Sequence, residues 1–172
     1  PQEEVKKGKS MEEAIITGVA HDRSEAKITI IGVPDQVGAA AAIFQAISDA
    51  DINIDMIVQN VSRLSAVKTD ISFTLPMSEG RKGIEALEAI KERTGFDEVL
   101  YDDQIGKVSI VGVGMRSHPG VTTTFFKALA AEDVNLQMIS TSEIRISVVV
   151  GADEVDRAVR GAHKAFRLDA DE

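Results

Sequence analysis

The fold is decided by the stretch 27–33, KITIIGV, which returns at 107–113 as KVSIVGV. Downstream of these two stretches, residues 38–57 match residues 120–139 without a gap, so that Gly, Phe, Asp, Asn, Met and Ile recur at the same places. Self-similarity of this kind indicates a tandem repeat. Each copy of roughly 70 to 80 residues has the size of a small domain. The 172 residues therefore contain two copies of one module.

The hydrophobic pattern of each copy changes from period two to period three or four. β-branched residues alternate in the opening stretch, which is typical of a strand. The apolar residues that follow recur at helical spacing and predict a helix with one buried face. These residues are Ile43, Phe44, Ile47 and Ala50 in the first copy, and Phe125, Phe126 and Leu129 in the second.

The rest of the first copy predicts strands at 53–59, 69–75 and 97–102 and a helix at 79–94. Ser78 is the expected N-cap of that helix and Gly95 its expected C′ residue. The resulting order βαββαβ is a split βαβ unit. We therefore predict a four-stranded antiparallel sheet with both helices on one face.

The second copy ends after its second predicted helix, 153–166, and contains no segment for a fourth strand. A strand-like segment that belongs to neither copy, 14–20 (AIITGVA), precedes the first copy. A three-stranded remnant would leave an open sheet edge. We therefore predict an α+β fold of two ferredoxin-like modules, in which the N-terminal strand completes the second. The expected organisation is a linker at 1–10, the N-terminal strand of the second module at 11–24, the first module at 25–103, and the rest of the second module at 104–172.

Composition excludes several classes of function. With 28 Asp and Glu against 19 Lys and Arg, and 4% aromatic residues, the chain has neither the basic patch nor the stacking surface that nucleic-acid binding needs. Cysteine is absent from the sequence, and His21, His118 and His163 lie far apart, so we expect no metal site. No apolar stretch approaches the ~20 residues of a membrane span, and the N-terminus has no signal-peptide pattern. We expect a cytoplasmic protein without a cofactor and without nucleic-acid or membrane partners.

The loop at 32–38, GVPDQVG, is the strongest candidate for a ligand site. A helix N-terminus has unpaired N–H groups and a dipole that attract a carboxylate, and Asp35 beside it could pair with an ammonium. Asn53 and Gln59 could orient further polar groups, so the set suits a free amino acid. From one module alone, purely structural roles are equally plausible: Asp35 as a helix cap, Gly38 as relief of crowding, and Asn53 as a strand cap.

Repetition favours ligand binding, because Gly38 and Asn53 recur as Gly120 and Asn135 at positions where packing alone does not require them. The second copy differs elsewhere, so we expect a chemically different second pocket. It has Ser117 or His118 in place of Asp35, and Thr141 in place of Gln59.

Longer strings resemble a known family: ITGVAHDRSEAKITIIGVPDQVG (16–38), INIDMIVQNVS (52–62), VLYDDQIGKVSIVGVGMRSHPGV (99–121) and ISTSEIRISVVV (139–150). They are similar to the regulatory half of aspartate kinases, close to the actinobacterial enzymes, which consists of tandem ACT domains. The resemblance covers residues 11–168. In that family the first strand belongs to the second module, as the strand count above requires. The resemblance also implies that residues 1–10 are linker from a catalytic chain.

The resemblance implies a homodimer formed through the ACT domains, assembled with the catalytic subunit of aspartate kinase as α2β2. Threonine and, in concert, lysine would be the effectors that feedback-inhibit the first step toward lysine, threonine and methionine. The implied threonine site lies between two chains and contains Asp35, Val37, Gly38, Ala39, Ala40, Gln59, Thr122, Asn135 and Leu136. Asn53, Ile54 and Asp55 would belong to a second pocket, and Ser142 and Glu143 to the surface facing the catalytic subunit and lysine. The loop 62–68, SRLSAVK, lacks the acidic and glycine residues that the family leads us to expect.

We expect no catalytic centre in this sequence. The GKS at 8–10 resembles the end of a P-loop, but Glu3 stands at the position of the first glycine. The stretch 112–117 resembles a dinucleotide fingerprint but ends in Ser117. Three alternatives remain open: an ACT regulatory subunit of another amino-acid enzyme, a purely structural dimerisation module, and a small ferredoxin-like hydrolase. The last would need a basic phosphate cradle where residues 34–37 read PDQV.

Overall fold

The structure, a computed structural model, describes residues 16–61, 67–115 and 118–168. Two short 3₁₀ turns, Met77–Glu79 and Ala152–Glu154, each lead into a helix. The strands are β1 (Ile16–Asp22), β2 (Glu25–Pro34), β3 (Ile57–Val61), β4 (Lys68–Pro76), β5 (Glu98–Asp102), β6 (Ile105–Gly112), β7 (Met138–Thr141) and β8 (Arg145–Gly151). The helices are α1 (Ala39–Asp49), α2 (Gly80–Glu88), α3 (Lys91–Thr94), α4 (Pro119–Ala131) and α5 (Val155–Ala165).

The strands form two antiparallel four-stranded sheets, in the orders β3-β4-β2-β5 and β1-β6-β8-β7. In the first sheet, alternate residues of β2, such as Ile28 and Ile30, pack against Ile43 and Ile47 of α1 and Leu87 of α2. Because alternate residues share one face of a strand, both helices cover the same face of the sheet. The predicted α+β fold is confirmed.

The N-terminal strand β1 is an edge strand of the second sheet and pairs antiparallel with β6, His21 lying opposite Val108. The prediction that this strand completes the second module is therefore confirmed. The chain divides into one unit of residues 24–104 and another that joins 16–23 to the described residues of 105–168. We call them the first and the second unit.

An ion pair ties the end of β1 to α5. The Arg23 guanidinium contacts the Asp156 carboxylate at 2.8 Å. Its hydrogen bond and positive charge hold the pKa of Asp156 below the ordinary value of 3.8. A carboxyl whose pKa is lowered by folding adds stability at neutral pH that is lost as the pH falls through the lowered value.

The predicted helix at 79–94 is interrupted. Helix α2 ends at Glu88, the Ile90 N–H donates to the Leu87 carbonyl in a tighter turn, and α3 follows. The interruption coincides with burial of Ile90, which is 8% exposed. Ser78 does not cap the helix, because it lies in a 3₁₀ turn and no side chain caps α2. Gly95 is the expected left-handed terminal residue, with φ 80°.

The strand predicted to begin at residue 53 begins at Ile57 instead. Helix α1 is followed by a tight turn, in which the Asp51 N–H donates to the Ser48 carbonyl and the Ile52 N–H to the Ile47 carbonyl. This pair of bonds is a Schellman motif. Helix α4 ends in the same way at Asp133.

Asp51 and Asp133 both occupy the left-handed position of these turns, with φ 59° and 57°. Glycine is the usual residue there because it has no Cβ, and an aspartate also places a negative charge at the negative end of the helix dipole. We expect Asp51→Gly and Asp133→Gly each to raise the free energy of unfolding by about 0.5–1 kcal/mol. Urea denaturation of both variants measures the effect. Asp49→Gly, inside α1, is the control and should destabilise, so a gain there or a loss at both turns would contradict the explanation.

Each unit has its own hydrophobic core. In the first unit, Phe73 is fully buried and meets Phe44 edge to face at 6.0 Å. In the second unit, Phe125 is fully buried, with ring centroids 6.0 Å from Phe126 and 6.5 Å from Phe166. Among the residues that the structure describes, no helix is long and apolar enough to cross a membrane.

Candidate functional site

The candidate loop of the first unit joins β2 to α1. Gly38 occupies the N-cap position of α1 with φ 92°, and a Cβ there would meet no atom of the described residues within 4 Å. The Asp35 N–H donates to the Val67 carbonyl at 2.8 Å, which ties the loop to the start of β4. The Asp35 side chain is exposed, and no side chain in the described part of the chain caps α1, so Asp35 does not act as a helix cap. Its carboxylate is accessible to a ligand.

The first turn of α1 presents backbone donors to the surface. The Ala39 N–H donates to the Gln36 carbonyl at 3.2 Å. Within residues 16–61, 67–115 and 118–168, the N–H groups of Val37, Gly38 and Ala40 have no acceptor. The first turn carries only alanine side chains and no acidic residue. The positive end of the helix dipole is therefore open to an anion such as a carboxylate.

Gln59 lies at the same end of the sheet as this loop. Gln59 belongs to β3 and stands opposite Ile71 of β4. Its side-chain amide donates to the Thr69 hydroxyl at 3.3 Å. Thr69 in turn lies opposite Val33 near the end of β2. The fold thus brings Gln59 toward the Asp35 loop.

Asn53, Ile54 and Asp55 lie elsewhere in the first unit. Asn53 is exposed, Ile54 packs against the core, and the Asp55 N–H donates to the Thr74 carbonyl at 3.0 Å. Thr74 and the Asp35 loop are separated by most of the length of β4. The expectation that Asn53 acts beside Asp35 within one module is therefore wrong, because α1 runs between the two segments.

In the second unit, the candidate residues also lie in two groups, at opposite ends of α4. Thr122 lies in the first turn of α4. Ser142 and Glu143 form the turn between β7 and β8, where the Ser142 hydroxyl accepts from the Arg145 N–H at 3.1 Å. The Glu143 carbonyl accepts from the Met115 N–H at 2.9 Å, which places this turn at the end of β6 that leads to α4.

Asn135 and Leu136 lie beyond the other end of α4. Asn135 is exposed and Leu136 packs against the core. The Asn135 N–H donates to the Glu154 carboxylate at 3.0 Å. Composition and periodicity did not single out Glu154, although the repeat holds the signal: Glu79 stands at the equivalent position of the first unit.

Apolar side chains are exposed near the candidate loop and on one edge strand of each sheet. Val37 is fully exposed, and the edge strands β3 and β7 carry Ile57 and Ile139, which are 54% and 43% exposed. Ile57 and Ile139 are equivalent positions of the two repeats.

Charge is divided unequally between the units. Residues 24–104 contain 14 Asp and Glu against 7 Lys and Arg, a net charge of −7. Residues 1–23 and 105–172, which include the second unit, together contain 14 acidic and 12 basic residues, a net charge of −2. The described residues hold no group of three His, Cys, Asp or Glu side chains that could bind a metal ion.

The sequence profile of the ACT domain matches residues 28–90 and 108–166. The chain belongs to the ACT-domain family. Both ACT units also match solved regulatory proteins. The regulatory subunit of aspartate kinase from Thermus thermophilus, in its ligand-free form, is 42% identical with a TM-score of 0.83, over 88% of this chain and 99% of that one. The resemblance to aspartate kinase regulatory regions is thereby confirmed.

Longer relatives contain the same two ACT units. Aspartokinase from Mycolicibacterium smegmatis is 56% identical over 94% of this chain, and aspartokinase from Corynebacterium glutamicum is 53% identical over 92%. The chain spans 38% of the length of each of these curated relatives. A crystal structure of aspartokinase alpha and beta subunits is 43% identical with a TM-score of 0.82, over 88% of this chain and 99% of that one.

Proposed function

We propose that this chain is the regulatory part of an aspartate kinase and that threonine, in concert with lysine, binds at its ACT interfaces and feedback-inhibits the kinase. The observation that carries the proposal is the open N-terminus of α1 with Asp35 beside it. The kinase chemistry belongs to a catalytic partner, and regulation through this chain needs no cofactor. A cytoplasmic location is part of the proposal.

The chemistry of the loop suits an α-amino acid. The effector carboxylate accepts hydrogen bonds from the backbone between Val37 and Ala40, where the helix dipole favours a negative charge. The ammonium pairs with the exposed Asp35 carboxylate, a charge-assisted contact. Gln59, at the same end of the sheet, is available for the side-chain hydroxyl of threonine.

The site needs a second copy of the chain to exclude water. Asp35 and Val37 are both exposed, so an ammonium or a carboxylate bound there would remain largely hydrated. In the proposed homodimer, the second unit of the partner copy covers the loop with Thr122, Asn135 and Leu136. Ile57 and Ile139 supply apolar contact along the edges. Asn53, Ile54 and Asp55 line the second pocket of the dimer, and Ser142 and Glu143 face the catalytic subunit and lysine.

Threonine is expected to stabilise the parent protein. A ligand that binds only the folded state at 100 times its dissociation constant adds about 2.7 kcal/mol to the free energy of unfolding. We expect Asp35→Asn to weaken threonine binding at least about tenfold, because a hydrogen bond to a charged group contributes about 1.5–3 kcal/mol. Thermal denaturation and titration calorimetry measure the two effects.

Asp49→Asn is the matched control, since it removes the same charge from the other end of α1. It should leave threonine affinity unchanged. A dimeric parent whose melting temperature does not move in millimolar threonine would refute threonine binding. A shift with a different amino acid alone would instead assign the chain to another amino-acid enzyme.

A further inference from the structure

Glu154 lies at the start of α5, but its side chain bonds to a distant backbone group instead of to that helix. It occupies the N-cap position of α5, yet its side chain makes no cap hydrogen bond to that helix. Its carboxylate instead accepts the N–H of Asn135, 19 residues away, at 3.0 Å. Gly151 leaves room for this carboxylate, because a Cβ there would lie 3.3 Å from Glu154 Oε1.

The first unit has the same residues but not the same contact. Glu79 is equivalent to Glu154, and both are followed three positions later by a cation, Lys82 or Arg157. Glu79 pairs with Lys82 at 3.4 Å. In the parts of the chain that the structure describes, the N–H of Asn53 has no acceptor.

Two residues after each asparagine the backbone is held alike, although in the first unit the Met56 N–H also donates to the Thr74 hydroxyl at 3.0 Å. Two residues after Asn53, the Asp55 N–H donates to the Thr74 carbonyl at 3.0 Å. Two residues after Asn135, the Gln137 N–H donates to the Val149 carbonyl at 2.8 Å. The bond from Asn135 to Glu154 is therefore an additional restraint on the second unit.

We propose that Glu154 is a positioning residue that fixes the Asn135–Leu136 backbone in the conformation that receives the effector. The inference rests on the proposed function, in which Asn135 and Leu136 contact threonine. A charge-assisted hydrogen bond to the backbone restricts this segment before the ligand arrives, and binding to a preorganised site loses less conformational freedom. The segment of the pocket that uses Asn135 is thus held at the asparagine itself before binding, a restraint that the Asn53 segment lacks among the described residues. We expect the pocket that uses Asn135 to be occupied at lower effector concentration than the pocket that uses Asn53.

Amide hydrogen exchange of the unliganded full chain tests the restraint without any effector. Glu154→Ala should speed exchange of the Asn135 amide about tenfold, the loss expected when one hydrogen bond to a charged group is removed. Glu154→Asp keeps the charge but shortens the side chain, and it should give the same loss. Glu154→Gln keeps an acceptor oxygen at the same distance but removes the charge, so exchange should be intermediate, about threefold faster than in the parent. Glu79→Ala is the matched control and should leave the Asn53 amide unchanged.

Threonine affinity tests the consequence for binding. Glu154→Ala and Glu154→Asp should weaken the site that uses Asn135 about 5- to 20-fold. Glu154→Gln should weaken it about threefold, and Glu79→Ala should stay within about twofold of the parent. The melting temperature of each unliganded variant separates positioning from general destabilisation. Unchanged exchange at Asn135 in Glu154→Ala, or an equal loss of affinity in Glu79→Ala, would overturn the inference. A parent that binds no threonine would refute the proposed function, and the exchange measurement would still decide whether Glu154 holds the segment.

Discussion

Phe125→Ala is expected to lower the free energy of unfolding by about 3–5 kcal/mol, the range for removing a large aromatic side chain from a core. Phe125 is fully buried in α4 and packs between Phe126 and Phe166. Its ring fills space that the strands of the second sheet and α5 cannot close by small movements, because protein interiors are close-packed. The variant should therefore leave a cavity. Urea denaturation of the full chain, followed through the transition of the second unit, measures the loss.

Phe126→Ala is the matched control for this prediction. Phe126 is the next residue of the same helix, but it is only partly buried and packs at the margin of the core. Its loss should cost about half as much, since less apolar surface leaves water. Equal losses for the two variants would show that Phe125 is not the centre of the second core.

Gly32→Ala is expected to destabilise the first unit by about 2–4 kcal/mol. Gly32 has φ 72°, and a Cβ built on it would lie 2.0 Å from Asp97 Oδ2 and 3.1 Å from Asp97 Cβ. An alanine would therefore combine a strained backbone with displacement of Asp97. That displacement also breaks the 2.8 Å contact of Asp97 with Lys68. Urea denaturation measures the change.

Two comparisons separate these contributions. Gly114 has φ 69°, and no atom of the described residues lies within 4 Å of a Cβ built on it, so Gly114→Ala should show the backbone cost alone, about 1–2 kcal/mol. In an Asp97→Ala background, Gly32→Ala should fall to the same value, because the side chain that it would strike has been removed. A cost at Gly32 that is independent of Asp97 would contradict the steric explanation.

The architecture was predictable because repetition and hydrophobic period act over many residues. The alternation around Ile28 and Val108 defines the central strands of both sheets, and the missing fourth strand of the second copy required a partner such as β1. Helix ends were less predictable. The turns at Asp51 and Asp133 use aspartate in a conformation that usually indicates glycine, and the interruption before Ile90 depends on burial that no local pattern shows.

The candidate site was predictable only in part. The sequence identified the Asp35 loop, because a glycine-flanked turn before a helix is a local feature. It could not separate Asn53 from Asp35, because the distance between them depends on α1 and β4 being folded. It also could not distinguish Glu79 from Glu154: both have a cation three positions later, and only the folded neighbourhood decides which partner the carboxylate takes.

The pairing of β1 with β6 also has a consequence for synthesis of the chain on the ribosome. Residues 24–104 are contiguous, so the first unit can close as soon as it emerges. Strand β1 is made earlier, yet its partner begins only at Ile105. It must stay unpaired while about 80 residues are added, and closing so long a loop is slow compared with local folding. We therefore expect the first unit, whose residues are contiguous, to fold first. The second unit, which needs both β1 and the strands after residue 104, should complete last.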